Sequence, residues 1–173
     1  VSGAPPSQQE ADQQQARAMD AAVTYIARLQ ETAGLDVISD GEWRRRGYVE
    51  FMAQRVSGFV PVQGEPRSYR VVSRLERHQP FLLDDARFLV EHAEGRTKVT
   101  LPSPYHVANR NRIEFDSGVY ADRESFLADI TDIIEAEVAD LAGSGVDVIQ
   151  FDDPRMLGVT LRSPNAGPFP HSR

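Results

Sequence analysis

The sequence predicts an α/β fold with parallel strands, and three observations carry that expectation. Stretches of helical periodicity are twice followed by a glycine and a short run rich in β-branched residues. The two junctions echo one another: Ala33-Gly34-Leu35-Asp36-Val37-Ile38 recurs as Ser144-Gly145-Val146-Asp147-Val148-Ile149. Both copies run into acids, Asp40-Gly41-Glu42 after the first and Asp152-Asp153-Pro154 after the second. Repeated helix–glycine–strand units with short links imply parallel strands. In a barrel or an open parallel sheet, ligands bind at the carboxyl ends of those strands.

The elements follow in chain order. Residues 1–9 are small, polar and proline-bearing, a loose lead-in. A helix is expected over residues 9–32, its apolar face drawn by Ala22, Tyr25, Ile26, Leu29 and Ala33, with Gly34 closing it. Residues 35–39 read as a buried strand. Residues 49–56 suit a short helix, and residues 58–79 a long excursion containing a hairpin. Residues 81–93 are expected to be helical, with Phe88 and Leu89 inward. Residues 97–101 form the next strand, stopped by Pro102-Ser103-Pro104. The strongest helix starts after Asp122 as N-cap, with Glu124 in its first turn. Phe126, Ile130, Ile133, Ile134, Val138 and Leu141 make its apolar stripe, and Asp129, Asp132, Glu135 and Asp140 its solvated face. Gly143 or Gly145 ends it, and residues 146–151 are a buried strand.

Composition limits the function classes. The 173 residues are 40% hydrophobic, enough for one domain over residues 1–173 with a core of its own. Residues 158–173 are rich in proline and glycine and read as a loop-like tail. The chain starts at Val1 rather than Met, so it is expected to be a fragment of something longer. A net charge of −7 argues against a nucleic-acid partner, whose phosphates would be repelled. No cysteine is present, which excludes disulfides and thiolate metal ligands within the chain and fits a cytoplasmic setting. No apolar run approaches the roughly 20 residues needed to span a bilayer, so no membrane partner is expected.

The acidic ends are the first candidates for chemistry. Glu42 with Asp40, and Asp152 with Asp153, are placed to grip an ammonium group or act as bases. Each also has a plainer reading: an ion pair to Arg44, Arg45 or Arg46 for the first, a loop-start aspartate before Pro154 for the second. The arginines either hold an anionic substrate tail or divide between solvent and ion pairs. Trp43, the only tryptophan, can stack on a flat ligand or simply pack. Ser103, at the end of its strand, either points its hydroxyl at the same mouth or serves the turn. The four histidines, His78, His92, His106 and His171, show no zinc spacing. No phosphate loop or serine nucleophile elbow is present.

The segments LDVISDGEWRR, TKVTLPSP and ADLAGSGVDVIQFDDP together resemble the catalytic barrel of cobalamin-independent methionine synthase, especially its shorter stand-alone relatives. The resemblance runs in order over about residues 30–154. It implies a partial parallel (β/α)8 TIM-type barrel and an S-methyltransferase of methionine biosynthesis, moving a methyl group from a methylated tetrahydrofolate to the thiol of homocysteine. It further implies zinc, and no cobalamin, in the full-length enzyme. The family glutamate falls on Glu42 and the family aspartate on Asp152, both holding the substrate amine. The zinc ligands expected from the family, including two cysteines, are absent from this chain. Trp43 stands where the long synthases carry proline, which points to the short relatives. Two alternatives accompany this reading: a zinc alkyltransferase of the epoxyalkane:coenzyme M type, using another thiol, and a non-catalytic remnant or binding module.

Overall fold

The computed structural model describes residues 7–45, 47, 50–109, 113–115 and 118–154. Arg46, Val49 and the tail from residue 158 lie outside them. The chain gathers into two units, Val1–Phe51 with Pro80–Val99 and Glu137–Ile149, and Met52–Gln79 with Thr100–Ala136 and Gln150–Arg173.

The first unit begins with helix α1 (Gln8–Thr32). Its start is fixed by a capping box: the Glu10 N–H donates to Ser7 Oγ, and the Ser7 N–H returns a bond to Glu10 Oε2 at 2.8 Å. Its end is a Schellman motif. Gly34, at φ +79°, lets its own N–H reach Glu31 O and the Leu35 N–H reach Gln30 O. The buried residues of α1 are Val23 and Ala27, i and i+4 on one face, while Tyr25 and Leu29 are 66% and 47% exposed. The expected apolar face is therefore displaced around the helix. Small Ala27 packs closely on Ile38 and Leu89 in the core of this unit, which larger Tyr25 and Leu29 could not do as tightly.

Strand β1 (Val37–Ser39) is shorter than the run that predicts it, with only Ile38 fully buried. The Gln30 amide then bonds the Ser39 backbone in both directions, to its carbonyl at 2.8 Å and from its N–H at 3.1 Å. Short helix α2 (Glu50–Ala53) follows.

The second unit carries the excursion. Strands β2 (Val56–Pro61) and β3 (Tyr69–Arg77) pair antiparallel, the hairpin expected from the sequence. Strand β5 (Ile113–Phe115), which the sequence did not signal, adds to β3 in parallel. Three residues carry too little periodicity to announce a strand.

Helix α3 (Leu83–His92) buries Ala86 and Leu89, whereas Phe88 is half-buried and stacks on His92. Strand β4 (Arg96–Pro102) lies beside β1 in parallel register, Ile38 opposite Thr97. Ser103 then caps short helix α4 (Pro104–Ala108).

Helix α5 (Arg123–Ala142) starts at Asp122, whose Oδ1 accepts the Ser125 N–H at 2.7 Å. Phe126, Ile130, Ile133, Ile134 and Leu141 are buried as the stripe requires, and Val138 is half-buried. Glu137 is wholly buried within that stripe, and its carboxylate accepts from Phe81 N (3.0 Å) and Leu82 N (2.7 Å). Leu82 has no capping side chain of its own, so Glu137 supplies the anion that the start of α3 requires. Asp129 also departs from the expected solvated face, because it accepts the Tyr120 hydroxyl at 2.6 Å and pairs with Arg74 at 2.5 Å.

Strand β6 (Val148–Asp152) completes the order β1-β4-β6, but none of its residues is buried and Phe151 is 50% exposed, against the buried strand expected over residues 146–151. Asp147 N bonds Thr97 O, and Ser103 N bonds Asp152 O, so both strand indices rise together as parallel pairing requires. Gly145, at φ +92°, matches Gly34 in the earlier junction, so the sequence repeat is also a repeat of conformation.

Candidate functional site

Two acidic turns stand at the carboxyl ends of β1 and β6, and each is held by its own bonds. After β1, Asp40 is 4% exposed and its Oδ1 accepts the Glu42 N–H at 3.0 Å. Gly41 lies within this Asx turn at φ +66°, where a Cβ would be strained and would lie 2.8 Å from Trp43 Cδ1. Glu42 follows at φ +58°, a left-handed conformation uncommon outside glycine.

Arg44 and Arg45 take the ion-pair reading, and Arg46 lies outside the described residues. Arg44 bonds Asp20 of α1 and Asp85 of α3, the latter at 3.0 Å, and its guanidinium lies 4.3 Å from the centre of the Phe88 ring. Burial pushes the Asp85 carboxyl above its ordinary value, against the opposing pull of Arg44. Arg45 lies 3.6 Å from Glu42 Oε1 and 3.9 Å from Asp40 Oδ2. Trp43 is 53% exposed and borders an open groove of about 430 Å³ with Asp12, Gln15, Ala16, Met19, Asp20 and Arg44.

At the last residue of β6, the Asp152 carboxylate accepts the Gln150 amide at 2.6 Å, two residues back on the same strand face. Ser103 Oγ accepts the His106 N–H at 2.9 Å and donates to Asp153 Oδ2 at 2.5 Å. The structure thus gathers Ser103, Asp152 and Asp153 in one turn, and Asp40, Glu42 and Arg45 in another. Ser103 serves its turn directly, with its hydroxyl engaged on both sides. Gln150 was not singled out by sequence, and Arg45 was named only as one of three adjacent arginines. Only the alternation of a strand would have aligned Gln150 with Asp152.

Among the described residues zinc has no fitting set of ligands. The chain has no cysteine, and among the described residues no three histidine, aspartate or glutamate side chains converge.

A parallel sheet fed by helices, with acidic turns at its strand ends, defines an α/β domain of the kind that binds small molecules at one edge. The chain belongs to the cobalamin-independent synthase family, matching the model of its catalytic domain over residues 6–166. It is 34% identical over 152 residues to the methionine synthase of Sulfurisphaera tokodaii, covering 83% of this chain and 44% of that protein. Against the methionine synthase of Sulfolobus acidocaldarius it is 35% identical over 144 residues, covering 78% and 41%. A B12-independent methionine synthase from Shewanella, solved in complex with selenomethionine, has the same fold at a TM-score of 0.68 and 27% identity, over 79% of this chain and 41% of that one. A Listeria monocytogenes structure at 24% identity gives the same TM-score and speaks for the fold alone. The chain spans less than half the length of these relatives. The fold is accordingly part of the parallel β/α barrel that the sequence led us to expect.

Proposed function

We propose that this chain is the amino-acid-holding part of an S-methyltransferase of methionine biosynthesis, which moves a methyl group from a methylated folate to the thiol of homocysteine without cobalamin. The observation that carries this reading is the fixed acidic turn after β1, where Glu42 keeps its side chain 39% exposed while Asp40 beneath it is buried. Carboxylates held in this way form charge-assisted hydrogen bonds to an ammonium group. Asp152 closes β6, where the Ser103 N–H donates to its carbonyl and the Ser103 hydroxyl to Asp153. The Shewanella relative was solved with an amino acid of the same class, selenomethionine, which supports an amine grip.

In this reading Glu42 and Asp152 bind and orient, and no bond is made or broken at either. Fixing the amine fixes the direction in which the thiol approaches its methyl donor, and such alignment removes a large entropic part of the barrier. Zinc, which the family resemblance implies, would lower the thiol's pKa, and we assign its ligands to residues outside this chain. The lack of cysteine supports a cytoplasmic location. Among the described residues no helix is long and apolar enough to cross a membrane.

The coenzyme M alternative finds less support. A sulfonate calls for available guanidinium groups, whereas Arg44 and Arg45 both face carboxylates. Isothermal titration with homocysteine tests the proposal. Glu42→Ala and Asp152→Ala are each expected to weaken binding about tenfold or more. Unchanged binding in both variants rejects the grip, and preference for coenzyme M over homocysteine transfers the chain to the alternative.

A further inference from the structure

We infer that Arg45 is a positioning residue, a buried counterion that holds the Glu42 carboxylate in place for the substrate amine. The inference rests on the amine-holding reading of Glu42 given above.

Three observations converge on Arg45. Its side chain is only 5% exposed, yet its guanidinium faces two carboxylates, Glu42 at 3.6 Å and Asp40 at 3.9 Å. The same group lies 5.3 Å from the centre of the Phe51 ring, an aromatic face that steadies a planar cation. Its backbone also reaches Glu42, because the Arg45 N–H donates to the Glu42 carbonyl at 3.0 Å. Arg45 therefore grips Glu42 through both main chain and side chain.

The conformation of Glu42 shows why such a grip is needed. A glutamate at φ +58° directly after a glycine at φ +66° is unfavourable for the backbone. Strained residues persist where their surroundings over-determine them, and they concentrate at functional sites. Here the restraints are Asp40, which accepts the Glu42 N–H, and Arg45, which acts on both ends of the residue.

The distances point the same way, since the Arg45 guanidinium stands within 4 Å of both the Asp40 and the Glu42 carboxylates. Without Arg45, Asp40 and Glu42 would repel one another and draw the turn open. The Arg45 side chain is 5% exposed and the Glu42 side chain 39%, so the support is buried and the group it supports is open to solvent.

The test compares Arg45→Met and Arg45→Lys with the unaltered chain by three measurements: homocysteine titration, amide hydrogen exchange without ligand, and thermal unfolding. Arg45→Met is expected to weaken homocysteine binding about tenfold and to speed exchange of the residue-45 amide by a similar factor, with little change in melting temperature. Arg45→Lys keeps the charge without the planar fork and should recover most of both losses. If Arg45→Met does not fold, Arg45→Gln, which removes the charge and keeps a polar side chain, takes its place with the same losses expected at an unchanged melting temperature. Wild-type exchange and wild-type affinity in the variants overturn the inference, as does binding lost only in proportion to unfolding. If the unaltered chain does not bind homocysteine while Arg45→Met still accelerates exchange, the amine-holding function fails and the clamp on Glu42 stands.

Discussion

At the scale of single residues, Glu137 and Tyr120 show how a buried polar group becomes a fixed point of the fold. Glu137 sits within an apolar stripe because two backbone N–H groups at the start of α3 need an acceptor. Glu137→Ala should cost about 2–4 kcal/mol, since it leaves those donors buried without their acceptor and opens a cavity. Glu137→Gln keeps an acceptor oxygen and should cost less. Urea unfolding of the two variants measures the difference. Tyr120 is 1% exposed, donates to Asp129 and accepts from Leu75 N. Burial, with the hydrogen bond to Asp129 second, pushes its phenol up to about 12. The folded chain thus holds this proton to higher pH than the unfolded chain, in which a tyrosine loses it near 10. The stability tied to it is complete below pH 10 and falls as pH climbs towards 12. A melting-temperature series across that window should show the decline, and Tyr120→Phe should lessen it.

At the scale of elements, the joints decide more than the elements do. Strand β1 has three residues, too few to hold its place by ladder bonds alone. The Gln30 side chain acts on Ser39 as a neighbouring strand would, donating to its carbonyl and accepting from its N–H. That contact ties α1 to the strand which leads into Asp40 and Glu42. Gln30→Ala is expected to cost about 1–2 kcal/mol and to speed exchange of the Ser39 amide. A Gln30→Ala chain with wild-type protection at Ser39 would show the bridge to be incidental. The parallel pair β4 and β6 is joined similarly, by the Asp147 carboxylate accepting the Thr97 N–H at 2.7 Å. That bond holds Asp147 below the usual aspartate range.

At the scale of the whole molecule, the proposed division of labour has a direct consequence for metal content. The chain lacks cysteine, and no trio of histidine, aspartate or glutamate converges among its described residues. Elemental analysis of the purified chain should therefore find no stoichiometric zinc, and treatment with a chelator should leave its melting temperature unchanged. Tight one-to-one zinc binding with a rise in melting temperature would contradict the assignment of the metal to residues outside this chain. The match covers less than half of each relative, so the proposed chemistry belongs to a complete synthase.

The sequence by itself determined the family, the parallel α/β class and the hairpin. It also placed the glycine joints at Gly34 and Gly145 and the two acidic turns that follow their strands. Those signals are local: a 3.6-residue period, a β-branched run, a glycine where φ must be positive. The capping box of Ser7 and Glu10 was equally local, and it sets the start of α1 one residue earlier than expected. Tertiary structure alone decided which face of α1 is buried, since Tyr25 and Ala27 are both apolar and only Ala27 joins the cluster with Ile38 and Leu89. It likewise decided that Glu137 lies inside, that Asp129 is engaged, and that of two adjacent arginines one braces α1 and α3 while the other faces Glu42. A carboxylate on a helix reads as solvated until a distant segment presents its backbone N–H groups. Such partners are separated along the chain by tens of residues, and periodicity has no access to them.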